Sequence, residues 1–197
     1  MSKKIAITGG IGSGKTTVSN LIKEKGYPVY SCDEIYKELI ESTIYIKEIE
    51  KAFPAAIKQG KIDKKSLAEI IFSNKQERKR LNEIAHPLIM EALLDRMNKN
   101  ENKLVFAEVP LLVEGGYEND FDERIVIMRP LDEKIVSVCK RDKTDRERVL
   151  SRIQSQLNYE DKNVLAFLKS KKAIIINNVG TEQDLKDKIF SLLPTLS

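Results

Sequence analysis

What this 197-residue chain lacks narrows it first. It has only two cysteines, Cys32 and Cys139. Their spacing suggests no pairing, which argues against a disulfide framework and predicts reduced thiols in a reducing compartment. No apolar run approaches the roughly 18 residues of a membrane span, and no secretory apolar segment precedes the first predicted strand. A cytoplasmic protein without membrane contact is expected. Neither sign of charge dominates: 34 basic residues stand against 30 acidic ones, a formal net charge of +4. The small excess suits an anionic substrate. The basic cluster Lys75, Arg78, Lys79 and Arg80 has no interleaved aromatics and no reader motif, so no nucleic-acid partner is expected. A GTP-dependent switch would need Asn-Lys-x-Asp, and the nearest approach, Asn74-Lys75-Gln76-Glu77, lacks the aspartate. Nor does Asp-x-x-Gly occur. Repeats and low-complexity tracts are absent as well.

What is present supports a soluble α/β enzyme. Hydrophobic residues make up 41% and charged ones 32%, enough for a continuous core in one domain with insertions or in two small ones. The apolar run Ile5-Ala6-Ile7 leads into Gly9-x-x-x-x-Gly14-Lys15-Thr16, the strand–turn–helix pattern of a phosphate-binding loop. Glycines 9, 10, 12 and 14 are expected at positive φ, so that successive N–H groups converge on one concavity. A helix starting near Lys15 adds its N-terminal amides and dipole. Lys15 is expected to reach the β- and γ-phosphates of ATP, and the Thr16 hydroxyl is a hard oxygen ligand for Mg²⁺. The nucleotide-binding set is Ile11, Gly12, Ser13, Gly14, Lys15, Thr16 and Thr17.

Tyr27-Pro28-Val29-Tyr30 reads as a second strand, with Pro28 at its start or at a sheet edge. Ser31 and Glu34 have capping-box spacing, which predicts a helix from Cys32. Asp33 then falls in its first turn, either as a ligand-facing carboxylate or as a simple complement to the helix dipole. Residues 34–99 are helical in pattern, with stripes at Ile46/Ile49/Phe53 and Leu67/Ile70/Ile71, then segments from Gln76 to Ala85 and from Leu88 to Met97. The stretch is too long for one crossover helix and reads as an inserted substrate subdomain. His86-Pro87 is expected to break it. His86, the single histidine, is either structural or a substrate contact.

Leu104–Ala107 reads as a buried strand ending in Glu108, placed to order Mg²⁺, with Glu114 a second candidate. Arg124–Met128 is the fourth strand, followed by a helix ending at Arg141-Asp142. Thr144–Glu147 reads as a capping box opening a helix that carries Arg148 and Arg152, with Gln156 next in register. An arginine-bearing helix pair here suits a lid over transferring phosphate, although such faces are commonly no more than solvated. Ala173–Ile176 is the last strand, and a closing helix starts at Thr181. Five apolar strands with intervening helices imply a parallel sheet covered on both faces, a three-layer α/β/α arrangement.

Taken together, these residues resemble the dephospho-coenzyme A kinase family over nearly the whole chain. The resemblance rests on Thr8–Lys15, Asp33, His86-Pro87-Leu88-Ile89, Pro110-Leu111-Leu112-Val113-Glu114, Arg141-Asp142, Arg152-Ile153-x-x-Gln156 and Asn178-x-Gly180. It implies a P-loop core (1–32, 100–140 and 171–197), a helical substrate insertion (33–99) and a lid (141–170). It also implies ATP-dependent phosphorylation of the 3′-hydroxyl of dephospho-coenzyme A, with Asp33 as base, Lys15, Arg141 and Arg152 on the phosphates, His86 near the substrate, and Thr16 and Glu108 around Mg²⁺. A monomer or weak homo-oligomer is expected. Another small-molecule P-loop kinase is the rival reading. The chain departs from the family in having Ser31-Cys32-Asp33 for Asp-x-Asp, Ala173-Ile174 for an Ala-Asp pair, and a longer stretch between Gln156 and Asn178.

Overall fold

A computed structural model describes residues 2–72 and 74–196. Residues Ser31–Arg96 form one compact unit, and the chain before and after them forms another.

The second of these is built on a sheet of five strands: β1 (Lys3–Thr8), β2 (Val29–Ser31), β5 (Leu104–Glu108), β6 (Glu123–Met128) and β7 (Ala173–Asn177), in the order β2-β5-β1-β6-β7. β1 runs parallel to both β5 and β6, and β6 to β7. Alternation along the strands assigns the faces. Ile5, Ile7, Phe106, Ile125 and Ile127 pack with Val18 and Ile22 of α1 (Lys15–Glu24) and with Leu185 and Ile189 of α9 (Glu182–Leu192). Val126, from the opposite face, packs with Tyr159 and with Leu168 of α8 (Lys162–Ser170). The sheet is therefore covered on both faces, as the apolar strands predict. β2 sits at the edge, which accommodates Pro28: the carbonyl of Pro28 accepts from Phe106 N–H, where an amide donor is not needed.

α8 also explains the long stretch after Gln156. Asp161 caps it by accepting from the N–H groups of Asn163 and Val164, and the helix supplies the cover for the second face. The remaining helices of this unit, α6 (Leu131–Asp142) and α7 (Arg146–Gln154), pack through Ile135, Val138 and Val149. Asp145, not Thr144, caps α7, because its carboxylate accepts from Arg148 N–H. The closing helix does start with a complete capping box, Thr181 with Asp184.

The inserted unit contains α2 (Cys32–Leu39), α3 (Thr43–Ala52), α4 (Lys64–Phe72) and most of α5 (Lys75–Asn98). α2 begins where expected, but Ser31 makes no side-chain cap, so no capping box forms. In α3 the buried positions are Tyr45 and Ile49, followed by Phe53, while Ile46 is only half-buried. A small antiparallel hairpin, β3 (Ile57–Lys58) and β4 (Lys61–Ile62), joins α3 to α4. It turns at Gln59 and Gly60, both at positive φ, and nothing in the sequence pattern announced it. His86-Pro87 does not break the helix: α5 runs unbroken for 24 residues with Pro87 inside it. Proline removes one N–H and strains one turn. Burial of Leu81, Ala85, Ile89, Met90, Leu93 and Met97 along the same helix outweighs that cost.

One buried charge holds the sheet's lower corner. Arg124 donates to the carbonyls of Lys171 (2.6 Å), Asp122 (3.3 Å), Glu118 and Phe121. It thereby ties β6 to the loop before it and to the turn after α8. Replacing it with methionine keeps the volume and leaves several carbonyls without donors. Arg124→Met is expected to cost about 1.5–3 kcal/mol, a fall in Tm on the order of 5–10 °C by calorimetry.

Candidate active site

The strand order puts a switch point at the C-terminal ends of β1 and β5, because the chain leaves these neighbours in opposite directions. Open α/β sheets bind ligands at such a crevice. The loop from Gly9 to Gly14 occupies it, and Glu108 ends the adjoining strand, level with Ile7 of β1.

Three of the four loop glycines have positive φ: Gly9 (+140°), Gly12 (+75°) and Gly14 (+101°). Gly10 does not, so its contribution is not a left-handed backbone. Close approach matters as much as conformation. A Cβ on Gly9 would lie 2.3 Å from the carbonyl oxygen of Ile127, and one on Gly14 would lie 2.3 Å from Asn178 Nδ2. That Asn178 amide donates to the carbonyl of Ser13 at 2.8 Å, fastening the loop to the segment after β7. Ser13 is buried, Gly12, Gly14 and Thr17 are half-buried, and Gly14 caps α1 from the left-handed region.

Lys15 Nζ donates to the carbonyls of Gly9 (2.9 Å) and Gly10 (3.1 Å). The ammonium is thus held across the loop's own entry rather than extended into solvent. Thr16 Oγ1 donates to Glu108 Oε1 at 3.0 Å, and Ser19 Oγ donates to Glu108 Oε2 at 3.0 Å. Glu108 and Ser19 are buried, whereas Thr16 is exposed. The Thr16 proton is committed to Glu108, which leaves the hydroxyl's lone pairs as an oxygen ligand. Among the described residues no group of three or more His, Cys, Asp or Glu side chains could cage a metal. This donor set fits Mg²⁺, which keeps its waters and takes few protein ligands beside substrate phosphate. Ser19 was not foreseen; its place one turn after Thr16, on the same face of α1, was the available signal.

Glu114, the alternative to Glu108, does something else. Its Oε1 accepts from Leu157 N–H (3.2 Å) and its Oε2 from Tyr159 O–H (3.3 Å). Burial first, then the Glu114 charge, pushes the Tyr159 phenol up, so it stays protonated and donates. With its one proton spent on Glu114, Tyr159 accepts from Thr8 Oγ1 at 3.2 Å. The segment leaving α7 is therefore pinned to the end of β1.

Arg141 and Arg152 meet on one carboxylate. Asp142 accepts from Arg141 Nε at 2.6 Å and from Arg152 Nη1 at 2.6 Å. Hydrogen bonds from Arg141 and then Arg152 hold its carboxyl well below the usual range. Gln156, next in register, turns inward: its Oε1 accepts from Ile11 N–H at 2.8 Å. Beside this bond lies a cavity of about 310 Å³ lined by Gly10, Ile11, Arg129, Lys134, Gln156 and Glu160 among others.

In the inserted unit, Asp33 is exposed in the first turn of α2, between the buried Cys32 and Ile35. His86 is half-buried on α5.

A parallel sheet with this strand order, a glycine loop carrying Lys15 and Thr16, and an arginine-bearing helix pair define a P-loop kinase. The family model for dephospho-CoA kinase matches residues 3–183. Dephospho-CoA kinases from Fusobacterium nucleatum and Thermus thermophilus are 36% and 33% identical, each over 98% of this chain and over 97% and 91% of their own lengths. A solved dephospho-CoA kinase from Campylobacter jejuni aligns with a TM-score of 0.65 at 29% identity, over 100% of this chain and 98% of that one. A shikimate kinase from Acinetobacter baumannii, 19% identical, shares the fold with a TM-score of 0.52 and covers 99% of this chain and 94% of its own. The chain belongs to the dephospho-CoA kinase family.

Proposed function

We propose that this protein transfers the γ-phosphoryl group of ATP to the 3′-hydroxyl of the dephospho-coenzyme A ribose, giving coenzyme A and ADP. The observation that carries the donor half is the Thr16–Glu108–Ser19 arrangement at the foot of the phosphate loop. The acceptor follows from family membership. In this reading Lys15 and the amides of residues 12–17 hold the β- and γ-phosphates, leaving little for the protein to do but position and neutralise charge. Thr16 ligates Mg²⁺ and Glu108 orders its shell; bound there, the ion offsets charge on the phosphate oxygens. Asp33 takes the proton of the attacking hydroxyl, and His86 contacts the acceptor from the inserted unit. Arg141 and Arg152 approach the transferring group together, since Asp142 holds both guanidiniums. Arginine suits this task because its fork of donors cannot lose its charge. Cys32 and Cys139 form no disulfide, which fits a cytoplasmic enzyme.

Incubation with ATP and dephospho-coenzyme A, followed by phosphorus and proton NMR of the product, tests the reading. A new phosphate on the ribose 3′-oxygen is the expected result, and its absence removes the proposal. For the cation, Glu108→Gln leaves an amide that can accept from only one of the two hydroxyls. It is expected to raise the Mg²⁺ concentration for half-maximal activity by roughly 10–100-fold, with the far-ultraviolet circular dichroism unchanged.

A further inference from the structure

One peptide unit of the phosphate loop is held from both ends. Its carbonyl, that of Gly10, accepts from Lys15 Nζ (3.1 Å) and from Ser13 N–H (3.2 Å). Its N–H, that of Ile11, donates to Gln156 Oε1 (2.8 Å), 145 residues away in sequence. C=O and N–H are antiparallel in a trans peptide, so fixing one direction fixes the other. Gln156 therefore governs where the Gly10 carbonyl points, and with it one of the acceptors that hold the Lys15 ammonium. The segment that follows the glutamine is itself held. Leu157 and Tyr159 are bonded to Glu114, and Tyr159 to Thr8. The Ile11 side chain packs against the cluster of Ile135, Val138 and Val149 on α6 and α7.

We propose that Gln156 is a positioning residue for phosphoryl transfer: its amide oxygen locks the Gly10–Ile11 peptide in the orientation that places Lys15, and keeps that lock when ATP binds. The proposal rests on the kinase reading of Lys15. Its effect belongs in turnover, because the other loop amides still hold nucleotide.

The test compares Gln156→Met, which keeps length and removes the acceptor, with Gln156→Glu, which keeps an acceptor oxygen. ATP dissociation constants are measured by calorimetry, and kcat at saturating ATP and dephospho-coenzyme A. The expected result for Gln156→Met is a kcat about tenfold lower, the worth of one part-buried hydrogen bond, with the dissociation constant within twofold. Gln156→Glu is expected to keep kcat within about threefold of the parent, even if its charge weakens ATP binding. If Gln156 were only a stand-in that phosphate displaces, Gln156→Met would bind ATP more tightly at unchanged kcat, and that overturns the proposal. A kcat no lower in Gln156→Met than in Gln156→Glu overturns it too. The parent's own turnover in the same assay reports on the kinase reading separately. The Ile11 amide needs no turnover: its proton resonance should move upfield in Gln156→Met both with and without ATP, and an unmoved resonance overturns the proposal even where Gln156→Met melts early.

Discussion

Asp33→Asn is expected to lower turnover by ~10²–10⁴, the usual worth of a general base, while ATP binds within twofold of the parent. Asparagine keeps the size of the side chain and one acceptor oxygen, yet it takes no proton at neutral pH. Cys32 and Ile35 are buried on either side, so the first turn of α2 is anchored by its neighbours and tolerates the exchange. The competing role makes a different prediction. If Asp33 only complements the dipole of α2, the same substitution leaves kcat untouched and removes about 0.3–1 kcal/mol of stability. Measuring kcat, the ATP dissociation constant and Tm on one preparation separates the two. Unchanged kcat with a slightly lower Tm assigns Asp33 to the helix end alone.

The candidate donor site was legible because phosphate binding demands a contiguous local pattern. Strand, glycine turn, Lys15 and Thr16 must follow one another within a dozen residues, and each has a chemical reason to be there. Glu108 was legible for a related reason: it is the acidic residue ending a fully buried strand. Its partner Ser19 was not, since a serine on a helix has no fixed partner until the strand order brings β5 beside β1. The same holds for Arg124 and Gln156. Their bonds close over 47 and 145 residues, and only tertiary folding decides that a basic residue lies buried under four carbonyls or that a glutamine turns toward a loop. Local rules failed where packing outweighed them. Pro87 signals a break, and the long buried side of α5 overrides it. Ser31 has the right spacing for a capping box, yet α2 starts without one. Cover on both faces of the sheet was expected, but α8, the helix that supplies it on one face, went unseen. Its segment is the one expected to run longer than the family's pattern, so resemblance offered no guide either.

The arginine pair shows how sequence and structure divide the work. Helical spacing predicts Arg152 and Gln156 on one face of a single helix, but α7 ends at Gln154 and Gln156 lies beyond it. In the fold they part. Arg152 joins Arg141 on Asp142, and Gln156 reaches the loop. One carboxylate between two guanidiniums leaves the trio with a net positive charge and restrains both side chains; in the proposed reading less rotamer freedom would be lost on meeting phosphate.

Lys15→Met should have the largest effect within the loop. The methionine keeps an unbranched chain of similar length and loses the charge, so the change isolates the ammonium. Two losses follow. The first is the charge offered to the β- and γ-phosphates, comparable to removing one preorganised donor from a transition state, ~10²–10³ in kcat. The second is structural: the carbonyls of Gly9 and Gly10 lose the donor that joins them. Because those carbonyls flank the entry to the phosphate concavity, ATP affinity should fall as well. kcat/KM for ATP is therefore expected to drop by more than kcat alone, which sets this variant apart from Asp33→Asn. Lys15→Arg is not expected to rescue it. A guanidinium is planar and broader than an ammonium, and the space between two carbonyls about 3 Å from Nζ is shaped for a compact donor. Steady-state kinetics of both variants, with calorimetric titration of ATP, gives the answer. Should Lys15→Met lower kcat and leave ATP affinity intact, the carbonyl bridge has no part in shaping the loop, and the lysine acts on the transferring phosphate alone.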